Sequence, residues 1–275
     1  LRESKDDERF YYPDTDEGRQ AYIDDATAVI ENIKGKLPEF FGILPKADLI
    51  VKRVEAFREQ DGAAQHYFQG TPDGSRPGIY YAHLSDMKAM PKRELEVIAY
   101  HEGIPGHHMQ IAIAQELTDI PKFRTQIGFT AYVEGWALYS EWLAKEFPGT
   151  YQNPYSEFGR LGSEMWRAIR LVVDTGLHSK GWTEEQAVQY FLDNAAITEA
   201  QARSEVQRYI VTPGQATSYK IGMLKFQDLR KKAETELGDK FDIRAFHDTV
   251  LGGGALPLEI LERRVDQWIE DVNAD

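Results

Sequence analysis

The chain has 275 residues, a net charge of −13 and a pI near 5.1. This acidic balance argues against nucleic-acid binding and against docking on anionic lipid, because both depend on clustered lysine and arginine. The hydrophobic content of 42% argues against disorder, and the absence of cysteine excludes disulfides and thiolate metal sites. No apolar run reaches the ~18 residues that a membrane span needs.

The first 90 residues are predicted to form one helix and a small sheet. Apolar positions recur every three or four residues over 15–36, which indicates a helix. Strand-like stretches follow in DLIVKRVEAF, QHYFQG and IYYAHL, and the turn sequence TPDGSRPG separates the last two. The chain begins at Leu1 without a methionine or a charged leader, which predicts a piece of a longer protein.

After Pro91 the pattern is helical to the C-terminus. The predicted helices cover residues 92–117, 123–147, 156–180, 183–195, 198–211, 215–237, 243–251 and 257–272. We therefore predict a mostly α (α+β) fold, in which a helical domain over 91–275 carries a small N-terminal β-sheet or hairpin from 1–90. The two segments are expected to form one compact unit.

Three of the seven histidines lie within the eight residues HEGIPGHH, at His101, His107 and His108. Zinc hydrolases use a ligand histidine followed directly by a glutamate that acts as general base, as in His101-Glu102. The usual H-E-x-x-H spacing fails here, because the fifth position is Pro105. Six residues advance a helix by about 600°, which turns His107 away, and seven bring His108 back about 10.5 Å along the axis.

Pro105 predicts a distortion of this helix. It cannot donate a hydrogen bond to the carbonyl of His101, and its ring opens that turn, while Gly106 adds backbone freedom. We therefore expect a bulge at residues 104–106 that lets a second histidine face His101. The alternative is a helix–loop junction in which the histidines only cap carbonyl groups.

A zinc hydrolase needs a third protein ligand, and the next predicted helix offers Glu134 and Glu141. Glu134 lies in the apolar stretch FTAYVEGWALYSEW, where a carboxylate is costly unless it is paired or coordinated. The two glutamates are seven residues apart and so share nearly the same helix face. One could be the ligand and the other could orient a ligand histidine, and a solvent-facing glutamate is the alternative. Gly135 permits close approach of a neighbouring helix.

Four motifs resemble the bacterial domain-of-unknown-function family 885 from about Arg76 to the C-terminus. In order, they are HEGIPGHHMQ, EGWALYSE, RLVVDTGLHSKGWT and RYIVTPGQATSYKIG. That family is regarded as related to the gluzincin metallopeptidases, which hold zinc with two histidines and one glutamate. The resemblance implies a helical metallopeptidase-like domain that is the C-terminal half of a longer protein. It also suggests a periplasmic, secreted or lipid-anchored location, because many members look like secreted lipoproteins.

The resemblance also implies a site. Its members are the zinc ligands His101, His107 and Glu134 and the general base Glu102. Gly106-His107 matches the Gly-His pair of gluzincins, displaced by two residues, so the resemblance favours His107 over His108. Glu141 stays the alternative to Glu134.

Further residues are candidates for substrate contacts. Related peptidases hold the substrate backbone against an edge strand, and RPGIYYAHL with Tyr80 is the candidate, an ordinary hairpin being the alternative. Tyr219 is the candidate donor to the oxyanion, with His178 second, and a core aromatic ring is the alternative for Tyr219. Arg208 could bind a C-terminal carboxylate, although a structural salt bridge is favoured.

The predicted helix over 156–180 carries three more polar features. Asp174 and His178 are spaced to form a hydrogen-bonded pair. Arg167 and Arg170 could anchor carboxylates anywhere in the fold, so the sequence assigns them no role.

The expected function is zinc-dependent hydrolysis of peptide or amide bonds, with Zn²⁺ as cofactor and a peptide or small amide as substrate. No nucleic-acid partner and no membrane insertion of this segment are expected. Two other functions stay open: a degenerate metal-binding domain without activity, and a metal-free helical binding module. The sequence gives neither the substrate nor the oligomeric state.

Overall fold

The computed structural model describes residues 7–59, 63–195 and 197–274, and helices account for most of them. The α-helices are α1 (Asp16–Lys34), α2 (Lys92–Glu102), α3 (His107–Glu116), α4 (Thr130–Leu143), α5 (Pro154–Lys180), α6 (Glu184–Asn194), α7 (Glu199–Val211), α8 (Gln215–Leu237), α9 (Ile243–Leu251) and α10 (Leu258–Ala274). The predicted fold class, mostly α with a small sheet, is confirmed.

The sheet has three strands, β1 (Leu49–Arg53), β2 (His66–Phe68) and β3 (Gly78–Ala82). Their order is β1-β3-β2, with β1 parallel and β2 antiparallel to β3. β3 is therefore the central strand, and the expectation that it offers an edge to a substrate is wrong. The local pattern showed that these segments are extended. It could not show that β1 pairs with one edge of β3 while β2 pairs with the other. The strand that lies at an edge beside the histidine-bearing α3 is β2.

One large buried cluster joins α1 and the sheet to the helices that follow. It includes Tyr22 of α1, Tyr80 of β3, Trp136 of α4 and Phe226 of α8, all fully buried. Residues from both predicted segments, 1–90 and 91–275, thus lie in one shared core. The boundary between the segments at residue 90 stays a prediction. A second buried cluster, which includes Phe191, joins α5, α6 and α7 to the start of α8.

Helix ends follow the local signals in most places. Thr183 and Thr198 each form a capping box at the start of α6 and α7. The helix predicted over 123–147 is shorter, because a 3-10 turn at Lys122–Thr125 precedes α4 and Gly128, a poor helix former, lies between them. None of the helices in the described ranges combines the length and the apolar character that a bilayer crossing requires.

α4 and α8 pack with their backbones in contact at two glycines. A Cβ on Gly135 would overlap the backbone of Gly222, and a Cβ on Gly222 would overlap the carbonyl oxygen of Ala131. This contact confirms that Gly135 permits close approach of a neighbouring helix. It also brings Glu134, which adjoins Gly135, against the first turns of α8.

Gly222→Ala is expected to lower the free energy of unfolding by on the order of 3 kcal/mol, because the new methyl group meets backbone that cannot move aside. Urea denaturation measures this change. Gly162→Ala in α5 is the matched control, since a Cβ there meets nothing within 4 Å. The control should be neutral or stabilising by up to about 1 kcal/mol, as expected for Ala in a helix. Equal midpoints for the two variants would contradict the close packing of α4 and α8.

Candidate metal centre

The predicted helix over 92–117 is two helices. A turn at 103–106 separates α2 from α3, so the expected bulge is a complete break. Pro105 accounts for one missing hydrogen bond, but the backbone of Gly106 also leaves the helical region. A Cβ on Gly106 would overlap the carbonyl oxygen of His101, so glycine is needed for the chain to fold back against the end of α2.

Two buried side chains of α4 hold this turn in place. The indole Nε1 of Trp136 donates to the carbonyl oxygen of Pro105 at 2.9 Å, and Ser140 Oγ donates to the same oxygen at 3.3 Å. Both side chains are fully buried, so these hydrogen bonds are shielded from water. The turn that separates the two histidines is thereby fixed to the helix that carries Glu134.

His101, His107 and Glu134 come together across the turn. Glu134 Oε2 lies 3.3 Å from His107 Nε2 and 3.8 Å from His101 Nε2, and the three candidate ligand atoms all lie within 4.8 Å of one another. A tetrahedral zinc ion with bonds near 2.1 Å separates its ligand atoms by about 3.4 Å. Glu134 Oε2 is buried and has no hydrogen-bond partner in the described part of the chain. These residues therefore fit a zinc ion with small adjustments.

The charges of this group show what a metal ion must displace. Burial lowers the pKa of His101, but the nearby carboxylates of Glu134 and Glu141 outweigh burial and raise that pKa to about 9. Burial raises the pKa of Glu134, but His101 and His107 outweigh it and hold this pKa well below its usual range. Without metal, His101 is therefore cationic at neutral pH, and a divalent cation must displace its proton in order to bind beside the ionised Glu134.

Glu141 lies behind His101 rather than in the ligand group. His101 Nδ1 donates to Glu141 Oε1 at 2.7 Å, which directs the other ring nitrogen, Nε2, toward Glu134. Ser163 Oγ donates to Glu141 Oε2 at 2.7 Å, and Arg167 Nη1 donates to Ser163 Oγ at 2.6 Å. Of the two open alternatives, the structure thus brings Glu134 to the histidines and places Glu141 against His101 alone. The sequence missed Ser163 and gave Arg167 no role, although their four-residue spacing puts both on one face of α5.

His108 points away from the group. Its Nε2 lies 3.0 Å from the carbonyl oxygen of Ala47, and its Nδ1 lies 3.1 Å from Tyr67 Oη. Burial lowers the pKa of His108 to about 4, so the ring is neutral, with Nε2–H donating to Ala47 and Nδ1 accepting from Tyr67. Both ring nitrogens are engaged, which leaves neither for a metal.

Glu102, the candidate base, is buried beside the histidines. Burial raises its pKa, while the charges of His101 and His107 act in the opposite direction. No hydrogen bond to its carboxylate is found among residues 7–59, 63–195 and 197–274. The carboxylate is therefore not engaged by the protein and can exchange a proton with water.

Tyr219 lies against the metal group. Its ring is nearly parallel to that of His101, with centroids 6.1 Å apart, and burial raises its pKa, which keeps the hydroxyl protonated. Gln215 Nε2 donates to Tyr219 Oη at 3.2 Å and to Glu134 Oε1 at 3.4 Å. Gln215 was missed in the sequence, although it precedes Tyr219 by one helical turn. Tyr219 is accordingly at the site and not only a core ring.

The other predicted substrate contacts do not reach the site. Arg208 pairs with Glu205 at 2.9 Å and donates to Gln215 Oε1 at 2.9 Å, so it positions Gln215 instead of presenting a free guanidinium. His178 Nε2 donates to the carbonyl oxygen of Tyr209 at 2.9 Å. Tyr80 is fully buried, and its hydroxyl lies 2.9 Å from that of Tyr22, which excludes contact with a substrate.

The predicted pair of Asp174 and His178 is also wrong. The carboxylate of Asp174 accepts from the backbone N–H of Gly214 at 3.1 Å, at the start of α8, while His178 turns to α7. Both side chains bind the ends of neighbouring helices, which the spacing along α5 could not reveal.

Comparison with known proteins gives a family and several similar solved structures, among them the following two. The model of a family described as "Bacterial protein of unknown function (DUF885)" matches residues 1–265, which extends the resemblance well upstream of Arg76. The structure of a "putative lipoprotein" from Colwellia psychrerythraea is 42% identical with a TM-score of 0.94, over 98% of this chain and 46% of that one.

A second such protein, from Shewanella oneidensis and of unknown function, is 23% identical with a TM-score of 0.72, over 95% of this chain and 52% of that one. At this identity the likeness shows a shared fold alone. The chain spans about half the length of both solved structures. No curated protein matches it.

Proposed function

This chain belongs to the bacterial family of unknown function DUF885, and from the geometry of its site we propose that it is a zinc-dependent hydrolase of peptide or amide bonds. One observation carries the proposal: a helix break brings His101, His107 and Glu134 to one point beside Glu102. Two imidazoles and one carboxylate are a common ligand set of catalytic zinc, and they leave a fourth position open. The same set supports the proposed kinship with gluzincin metallopeptidases.

The residues around the metal group divide the chemistry among them. Zinc, when bound, polarises the substrate carbonyl and lowers the pKa of water. Glu102 accepts the proton of the attacking water and later delivers it to the leaving amine, a task that its raised pKa favours. Tyr219 donates its hydroxyl proton in a hydrogen bond to the developing oxyanion. Glu141 accepts from Nδ1–H of His101, so His101 would hold the metal through Nε2.

The location of the whole protein is part of the proposal. The relative from Colwellia psychrerythraea is described as a "putative lipoprotein", which supports a lipid-anchored protein of the bacterial cell envelope. The strand β2 replaces β3 as the strand proposed to pair with the backbone of a peptide. It is one of the two edge strands of the sheet, and its Tyr67 contacts His108 of α3.

Zinc removal tests the function. The purified chain is expected to hold one zinc ion per molecule by elemental analysis and to cleave a mixed peptide library monitored by mass spectrometry. A chelator should abolish cleavage, and added zinc should restore it. Zinc at about 100 times its Kd should also stabilise the fold by about 2.7 kcal/mol.

Each failure of this experiment has a distinct meaning. A chain that binds no zinc and does not change its melting temperature with a chelator would be a metal-free helical module. A chain that binds zinc stoichiometrically and cleaves nothing in the library would be a degenerate metal-binding domain. Either result contradicts the proposed activity.

A further inference from the structure

The metal group has two arginines of α5 beside it whose hydrogen-bonding capacity is only partly used. Building on the proposed function, we propose that Arg167 and Arg170 bind a carboxylate of the substrate, located one or two residues from the bond that is cleaved. This would make the enzyme one that acts near free carboxyl ends or beside acidic residues.

One edge of the Arg167 guanidinium makes no hydrogen bond. Its Nη1 donates to Ser163 Oγ at 2.6 Å and approaches the carbonyl oxygen of Ser163 at 3.4 Å. Its Nη2 lies 3.8 Å from Glu141 Oε1, which is too long for a hydrogen bond, and its Nε is buried with no partner in the described part of the chain. Nε and Nη2 form one edge of the planar guanidinium, and a carboxylate binds such an edge with both oxygens.

Arg170 adds a further donor and more positive charge. Its Nε donates to Tyr209 Oη at 2.8 Å and its Nη2 donates to Glu205 Oε2 at 2.9 Å, while Nη1 is buried and unpartnered among the described residues. Glu205 is shared with Arg208, so one carboxylate faces two guanidinium groups. Buried N–H groups without acceptors are costly, and a ligand carboxylate would satisfy them.

The two arginines lie at a suitable distance from the metal group. Their guanidinium carbons stand 4.7 Å (Arg170) and 5.6 Å (Arg167) from the ring centroid of Tyr219, which itself stacks beside His101. Contact with the ring face leaves the guanidinium edges available. Because an extended peptide advances about 3.3–3.6 Å per residue, one or two residues connect a carbonyl at the metal group to a carboxylate at the arginines. The side chain of Arg167 retains 20% of its exposure, so part of it is open to solvent, while Nε itself is covered.

A binding experiment tests the carboxylate site without requiring turnover. The full chain carrying Glu102→Gln is loaded with zinc and titrated with three fluorescent N-acyl tripeptide mixtures. The first has a free C-terminal carboxylate, the second a C-terminal carboxamide, and the third a carboxamide with glutamate as the last residue. The first mixture should bind at least tenfold tighter than the second, and the third shows whether an acidic side chain can replace the terminal carboxylate.

Arginine variants locate the effect. Arg167→Gln should lower the affinity for the carboxylate mixture about tenfold and leave the carboxamide mixture unchanged, and Arg167→Lys should recover part of the loss. Arg263→Gln is the control, because it makes the same chemical change at an exposed position of α10. This variant should retain the wild-type ratio of the two affinities. Circular dichroism verifies that each variant is folded.

Several outcomes overturn the carboxylate site. Equal affinities for the first two mixtures would do so, as would no binding of any mixture or an unchanged affinity ratio in Arg167→Gln. Failure of the proposed function has a different signature. In that case the wild-type chain cleaves no peptide, while the tenfold preference for the carboxylate persists in the binding measurement.

Discussion

Glu102→Gln is expected to retain one zinc ion per chain and to lose about 10²- to 10⁴-fold of the hydrolytic rate, the range associated with a positioned general base. Glutamine has nearly the same size and shape as glutamate but cannot accept the proton of water. Glu102 is not a member of the ligand group, so zinc affinity should change little. Its carboxylate is buried and carries a raised pKa, so substitution by a neutral amide should be well tolerated by the fold.

Paired measurements of zinc content and kcat/KM check this result. The matched control is Glu259→Gln, which makes the same chemical change at an exposed position in the first turn of α10 and should keep the full rate. A Glu102→Gln variant that holds zinc and hydrolyses peptides at the full rate would show that Glu102 is not the general base. A variant that loses zinc would show instead that Glu102 acts as a ligand.

α4 explains why the site forms where it does. The helix supplies the proposed ligand Glu134 and Glu141, which orients His101, and Trp136 between them holds the turn that precedes His107. Gly135 allows the same helix to pack closely against α8, and this packing brings Tyr219 to the site. One helix thus fixes the positions of groups from α2, α3 and α8, so its packing and the metal geometry are linked.

Local sequence patterns predicted most of the elements and the three residues that meet at the candidate metal centre. The periodicity that predicted helices over 215–237 and 243–251 reflects burial of one helix face, and the structure has α8 and α9 with those bounds. The cluster HEGIPGHH and the isolated Glu134 in an apolar helix stood out because polar groups there need a partner. The choice of His107 over His108 and of Glu134 over Glu141 rested partly on the family resemblance.

Contacts between distant segments could not be predicted from the same patterns. His108 is engaged by Ala47 and Tyr67, which lie 61 and 41 residues away along the chain. The strand order likewise depends on packing of β1 against β3, and the local alternation of side chains is the same for a central and an edge strand. Arg208 has a side chain that can bind a carboxylate, but in the structure it forms an ion pair with Glu205 of the same helix, α7.

His107→Ala and His108→Ala should separate the metal ligand from its neighbour in sequence. His107→Ala removes one of three ligands, and we expect its zinc affinity to fall by more than about 100-fold, beyond the usual effect of losing an outer partner. His108→Ala should keep its zinc but lose on the order of 3 kcal/mol of stability, because the Ala47 carbonyl and the Tyr67 hydroxyl lose their buried partner.

Competition with a zinc-binding dye gives the affinities, and urea denaturation of the metal-free proteins gives the stabilities. The two variants remove the same side chain from adjacent positions of α3, so each is the control for the other. Zinc lost from His108→Ala and kept by His107→Ala would reverse the ligand assignment. It would also mean that the turn at 103–106 presents the other imidazole to Glu134. That would remove the geometric basis for the proposed hydrolase, because His108 would then have to abandon both of its hydrogen bonds to bind metal.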